Sequence, residues 1–373
     1  MQKTPCHVCG HTRLRINQDS HKIARITSDC RPWQGKYFIG TCQKCGVVQT
    51  LVDKKWRADC EKIYRDYLIY PQTIGKAEQK IFSPKENRLL PRSEAIVSHL
   101  RKKGFFRGPG VRVLEIGAGA GFLLQQISKI KKNCKLFAVE KSPDCVAKIK
   151  SLPKVQKVFP SLEKAPSGFD KILLIHTLEH ISEPVGYLQA CHQKLVPSGL
   201  LFVQVPNSES NPFLLAVADH CSHFTPQSLK GCLEKAGFQC VHLEKIFGGK
   251  EIAGIFRPSE KPIRSKTFSA DSGWLSGHVC RLLAIRNRFM RAKKPVALFG
   301  TSLGATWVMS QFKRKVLALL DEDPSRLGKE FMSVKIQHPA AVASNCPVFS
   351  TVPFTRSNKL RNKLRRFRRL HAC

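Results

Sequence analysis

Three things are scarce in this chain of 373 residues. No run of about 18 apolar residues occurs, so no helical membrane span is expected. The opening MQKTPCHVCG has no apolar core segment, so no secretory leader is expected and a cytoplasmic setting follows. Acidic residues are few: 27 Asp and Glu face 63 Lys and Arg, a formal net charge of +36. That imbalance implies attraction to polyanions, whether nucleic acid, an acidic membrane surface or anionic substrates. The basic residues are spread through every segment, however. Only the tail from 356 to 373, with RNKLRRFRR at its heart, is dense. It reads as a basic helix on RNA or lipid, or as a frayed and solvated end.

What is present begins with cysteine. Fifteen cysteines in a cytoplasmic chain point to a metal site plus ordinary buried thiols, not to disulfides. Four of them form two knuckles, Cys6-His7-Val8-Cys9-Gly10 and Cys42-Gln43-Lys44-Cys45-Gly46, separated by 32 residues. Each knuckle turns two thiolates toward one ion. Cys6, Cys9, Cys42 and Cys45 together suit tetrahedral Zn²⁺ at about 2.3 Å, and a closed four-cysteine site is structural. The long gap between the knuckles predicts a small β-insert. A redox C-x-x-C would need a thioredoxin-like βαβ setting, which the pattern lacks. His7 and His11 are spare ligand candidates.

The second strong signal is Val113 to Leu124, VLEIGAGAGFLL. An apolar strand ends beside an acid, glycines follow at alternate positions, and an amphipathic helix begins. Gly117, Gly119 and Gly121 admit positive φ and, with the small Ala118, let the backbone approach a ligand at the helix N-terminus. The spacing is G-x-G-x-G, whereas a dinucleotide site wants G-x-G-x-x-G. Glu115, two residues before the first glycine, repels phosphate but pairs with a cation such as the ammonium or sulfonium of S-adenosylmethionine (SAM). A second strand, Lys135 to Val139, ends in Glu140, about 20 residues past the glycines, where a carboxylate accepts ribose hydroxyls. Glu140 also reads as an acid opening the next helix at Ser142-Pro143-Asp144.

Strand and helix alternate from 111 to about 250, the pattern of an α/β, Rossmann-like sheet covered on both faces. Its fully buried central strand, Phe169–Ile175, runs into His176-Thr177-Leu178-Glu179-His180, and His176 joins the cofactor candidates. Residues 251 to 290 show little pattern. From 295 to 350 the α/β theme returns: Val296–Phe299, a Gly300-Thr301-Ser302-Leu303-Gly304 turn, and Val316–Leu320 ending in Asp321. This second nucleotide-fold half either binds a nucleotide-linked substrate or packs on the first domain. Tyr64, Tyr67 and Tyr70, at helical spacing, read as core.

The segment Glu115 to Gly121 resembles motif I of class I SAM-dependent methyltransferases, and "FDxIxxxHxLEHI" followed by "LxPSGLLFVxVPN" resembles their motifs IV to VI. The whole order resembles the sugar C-methyltransferase family: a Cys₄ zinc module (1–60), a helical linker (61–110), a SAM domain (111–250), a smaller Rossmann-like domain (251–355) and a basic tail (356–373). That resemblance implies C-methylation of a nucleotide-linked keto-sugar or a related precursor. The family's active-site segment Y-x-E-H-x-x-Y-F-S corresponds to Val217–Thr225, which keeps His220 and places Asp219 at the glutamate and His223 at the later tyrosine. The leading tyrosine is replaced by Val217. The family's histidine after the fourth strand corresponds to His180. The resemblance makes His220 the base candidate, with Asp219 or Glu179 orienting an imidazole and His180 or His223 serving the developing oxyanion. The missing tyrosine leaves O- or N-methylation of another small substrate open. The charge leaves an RNA methyltransferase or RNA-binding protein as a less favoured reading.

Overall fold

The computed structural model describes residues 4–68, 78–83, 88–108, 111–261, 273–343, 346–351 and 370–371. Tyr70, the Pro109-Gly110 turn and nearly all of the basic tail lie outside the described residues.

Seven strands form the central sheet. They are β1 (Val111–Ile116), β2 (Cys134–Val139), β3 (Val155–Phe159), β4 (Phe169–Ile175), β5 (Leu195–Pro206), β6 (Phe238–Ile246) and β7 (Glu251–Pro258), in the spatial order β3-β2-β1-β4-β5-β7-β6. The first five run parallel, and β7 enters antiparallel between β5 and β6. Beyond Asp170 and Lys171, β4 is apolar because both faces are covered. Ile172 and Leu174 enter one core cluster with Leu114, Ile116, Val203 and Val205; Leu173 enters the other with Val113, Leu136, Ala138 and Phe202. Helices α2 (Arg92–Lys102), α3 (Phe122–Ile130) and α4 (Pro143–Lys150) cover the second face, while α5 (Pro184–Lys194) and α6 (Pro226–Lys235) cover the first.

The order reverses between β1 and β4, so the loops after these two strands open a crevice at their carboxyl ends. Gly117, Gly119 and Gly121 lie in the first of those loops with φ of 71°, 53° and 76°, as the glycine spacing requires.

The N-terminal module contains the expected β-insert. Leu14–Asn17, Ile39–Cys42 and Val48–Thr50 pair antiparallel. A fourth strand, Ser222–His223, is supplied from beyond β5 and anneals to Val48–Thr50. Ile26 also bridges Val217. The module therefore holds part of Val217–Thr225, the segment where the family resemblance expects the active site.

Three expectations need correction. The 250/251 boundary falls too early: Glu251–Pro258 is β7 and completes the central sheet. The stretch 251–290 is not featureless, since it also holds α7 (Trp274–Arg291), whose buried Leu275, Val279, Leu282, Ile285 and Phe289 pack on the C-terminal domain. The 61–110 segment is not purely helical. Helix α1 (Lys54–Arg65) straddles its start, and Lys80–Ser83 pairs with Arg88–Pro91 as a hairpin. In the C-terminal domain Val296–Phe299 lies parallel between Val316–Leu320 and Val348–Ser350, which is the expected α/β half.

Candidate active site

The loop after β1 is shaped by what its glycines exclude. A Cβ on Gly117 would stand 2.6 Å from Thr177 Oγ1, and one on Gly121 would stand 2.8 Å from Leu152 Cδ1. Thr177 Oγ1 donates to the Ile116 carbonyl at 3.0 Å, tying the loop after β4 to the end of β1. Glu115 is 5% exposed, and its Oε2 is buried with no hydrogen-bond partner. Burial, reinforced by Glu140, pushes its carboxyl well above the ordinary range. A buried carboxylate oxygen without a donor is a site waiting for one. Glu140 accepts the Gly119 N–H at 2.8 Å and the N–H groups of Lys141 and Ser142 at 2.8 and 2.9 Å. Glu140 thus closes the turn that leads into the next helix and faces the glycine turn.

A polar cluster lies just after β4. His176 holds φ of +51°, a conformation rare for a residue with a side chain, while its N–H bonds the Gln204 carbonyl at 2.9 Å. Its Nδ1 lies 3.2 Å from Glu179 Oε1 and its Nε2 3.2 Å from Glu251 Oε2. Arg92 pairs with Glu251 at 2.6 Å and touches His176. Burial favours the neutral acid at Glu251, but Arg92 and His176 outweigh it and hold the carboxyl near 2. Composition gave no signal for Arg92 and Glu251, because they meet His176 only through tertiary folding.

Beside it, His180 Nδ1 faces the Asp219 carbonyl at 3.0 Å, Asp219 Oδ2 at 3.3 Å and the Tyr64 hydroxyl at 2.9 Å. Burial depresses the His180 pKa, but Asp219 outweighs this and the net shift is upward. Asp219 is fully buried and also accepts the Ser28 N–H at 2.9 Å. His220 packs edge-on against His180, ring centroids 4.7 Å apart, and burial lowers its pKa to about 4. Glu179, His180 and His220 each place one ligand atom within 4.8 Å of the others.

His223 does not join this cluster. It is buried at the module interface, with Nε2 3.2 Å from Thr50 Oγ1. Tyr64 and Tyr67 are not core: they are 44% and 37% exposed, with their hydroxyls at His180 and Ser28. α1 and the turn after it bring these two rings beside His180 and Ser28, where a phenol stays partly exposed and keeps its hydroxyl on a polar partner. The N-terminal module shapes the rest. Thr50 Oγ1 donates to the His220 carbonyl at 2.9 Å, and Trp56 Nε1 to the Ala218 carbonyl at 2.8 Å.

The four knuckle cysteines converge, with Cys6 Sγ 3.5 Å from Cys45 Sγ and Cys9 Sγ 3.5 Å from Cys42 Sγ. His7 instead places Nε2 3.1 Å from Ser222 Oγ. In the C-terminal domain, Asp321 Oδ2 is taken by Arg326 at 2.9 Å and by Thr301.

Residues 77–243 match a family profile described as a methyltransferase domain. The chain is 28% identical over 167 residues to a ubiquinone biosynthesis O-methyltransferase of Colwellia psychrerythraea, covering 39% of this chain and 66% of that protein. It is 30% identical over 130 residues to the protein of the same description in Xanthomonas campestris, covering 32% and 54%. The chain thus spans between about half and two thirds of the length of these curated relatives. Among solved structures, a SAM-dependent methyltransferase from Aquifex aeolicus aligns at 21% identity and a TM-score of 0.36, covering 44% of this chain and 88% of that one. The central segment thus matches a methyltransferase domain, and it is built on an α/β, Rossmann-like sheet. Among the described residues no helix is long and apolar enough to cross a membrane.

Proposed function

We propose that this chain is a SAM-dependent methyltransferase of a small molecule, with the acceptor activated at the Glu179–His180–Asp219–His220 cluster. The observation that carries this reading is the contact between the two loops. Thr177 bonds the end of β1 and closes on Gly117, so the cluster two residues later stands beside the glycine turn. When bound, SAM supplies an electrophilic methyl group on a sulfonium. The residues fit it: positive-φ glycines clear the approach, the unpartnered Glu115 oxygen offers a site for a cation, and Glu140 faces the turn. The acceptor must lose a proton before or during transfer. His180, with Asp219 behind it, is the oriented imidazole of the pair. Asp219 both fixes the ring and stabilises it once protonated, as a carboxylate behind a histidine does. His220, kept neutral by burial, can hold the acceptor oxygen.

The curated relatives support oxygen as the acceptor atom. A second reading, C-methylation of a nucleotide-linked keto-sugar, draws support from the converging cysteines and the largely parallel C-terminal sheet, an order of modules that resembles the sugar C-methyltransferases. In both readings the Cys₄ cluster holds a structural Zn²⁺ that fixes the module carrying Ser222–His223. The test is incubation of the purified chain with SAM and a panel of phenols, aliphatic alcohols and nucleotide-linked keto-sugars, followed by mass spectrometry. Methylated product from any of them is the expected result, and its fragmentation assigns oxygen or carbon. Absence of SAM binding by calorimetry would end the proposal.

A further inference from the structure

We infer that Glu179, His180 and His220 form a second metal site, distinct from the four cysteines, that holds a divalent ion of the Zn²⁺ class against the acceptor oxygen. This deepens the reading above and rests on the cluster being the acceptor site.

The argument is about which lone pairs are already spent. Glu179 is 1% exposed; its Oε1 takes His176 Nδ1 at 3.2 Å, and its Oε2 is buried with no partner. His180 has Nδ1 committed to Asp219 and Tyr64, which leaves Nε2 for another group. His220 is 5% exposed, and its ring meets His180 at 82°. One ligand atom from each residue lies within 4.8 Å of the others. A buried carboxylate with an oxygen within 4.8 Å of a nitrogen from each of two imidazoles is the two-histidine, one-carboxylate set that binds Zn²⁺ or Fe²⁺ and leaves coordination positions open. The outer contacts are also those of a metal site. Metal-bound histidines hand their other nitrogen to a carboxylate or carbonyl, as His180 does to Asp219, and metal-bound carboxylates are themselves hydrogen-bonded, as Glu179 is to His176. By contrast, the four cysteines form a closed set with no position left for substrate.

The chemistry balances. An acceptor hydroxyl or enol coordinates through oxygen, which lowers its pKa, and its proton leaves to solvent. The oxyanion attacks the sulfonium methyl; an O–C or C–C bond forms while the S–C pair returns to sulfur. The ion thereby replaces direct proton transfer to His180.

The experiment uses the full chain. A mild chelator strips the open site while leaving the closed cysteine site loaded, and Zn²⁺ is then titrated back with bound metal counted by mass spectrometry. Wild type should regain one equivalent. Glu179→Gln and His220→Gln should regain none, and Asp219→Asn should bind roughly 10–100-fold more weakly. As a readout that needs no variant, Co²⁺ added to stripped wild type should give visible absorption without thiolate charge-transfer bands. SAM binding is measured on the same stripped wild-type sample. If SAM binds but wild type takes up no second equivalent, or Co²⁺ shows only thiolate bands, the metal site is refuted and the methyltransferase reading stands. If SAM does not bind, the underlying reading fails as well.

Discussion

Replacing Gly117 with alanine isolates what the glycine turn contributes. Gly117 has φ of +71°, and a left-handed backbone costs a residue with a side chain about 1–2 kcal/mol. The new Cβ would also stand 2.6 Å from Thr177 Oγ1. That oxygen has little freedom to retreat, because it lies 3.0 Å from the Ile116 carbonyl and 3.2 Å from the Ile175 carbonyl. Forcing an atom into a packed position costs about 1–3 kcal/mol. Together the two effects amount to roughly 2–5 kcal/mol. At about 2–4 °C per kcal/mol for a unit of this size, the melting temperature should fall by roughly 4–20 °C. Thermal unfolding measures the first effect, and calorimetric titration with SAM measures the displacement of the turn. A Gly117→Ala/Thr177→Ala double variant removes the contact but keeps the φ cost, so it should recover part of the loss. A single variant within about 0.5 kcal/mol of wild type, binding SAM equally well, would refute the reasoning.

Three further outcomes follow from the same geometry. Burial keeps Glu115 protonated well above the ordinary range, so a bound cation must expel its proton; calorimetry in buffers of different ionisation heat should show proton release, absent in Glu115→Gln. Arg92→Met leaves Glu251 buried and without its guanidinium, and should cost about 3–5 kcal/mol near neutral pH. Because Glu251 titrates near 2 when folded, below its ordinary 4.5, the stability it contributes is present above 4.5 and lost as pH falls through 2; the variant's pH–stability curve should flatten over that window. In the proposed zinc site Cys42→Ser removes one of four converging thiolates, so metal content should fall by one equivalent and limited proteolysis should open the module that holds Ser222–His223.

Much of the fold was legible because it is built from local rules. Helix α3, strand β3, strand β4 and the C-terminal strands Val296–Phe299 and Val316–Leu320 fall where period and punctuation place them. β7 was missed because it is the antiparallel insertion, and EIAGIFRP looks like no strand of a βαβ repeat. The site was half legible. Glu115, Glu140, His176, His180, Asp219 and His220 could be named from motifs, but their pairings could not. Asp219 orients His180 and not its neighbour His220, since consecutive side chains point different ways and His180 arrives from the loop after β4. Tyr64 was misread because helical spacing reports that a face is shared, not what lies opposite it.

By itself, then, the amino-acid order determined the glycine turn, the acids at the ends of β1 and β2, the two cysteine knuckles and the alternation that makes the sheet. Each is a property of neighbours along the chain, where backbone freedom, side-chain size and periodicity act. Only the tertiary structure decided that a strand of the cysteine module would clamp Ser222–His223, that Arg92 and Glu251 would enclose His176, and that Glu179 would stand near two imidazoles with an oxygen to spare. Those arrangements depend on charges and lone pairs brought together from distant segments, where burial removes water and each polar atom must find its partner in the fold.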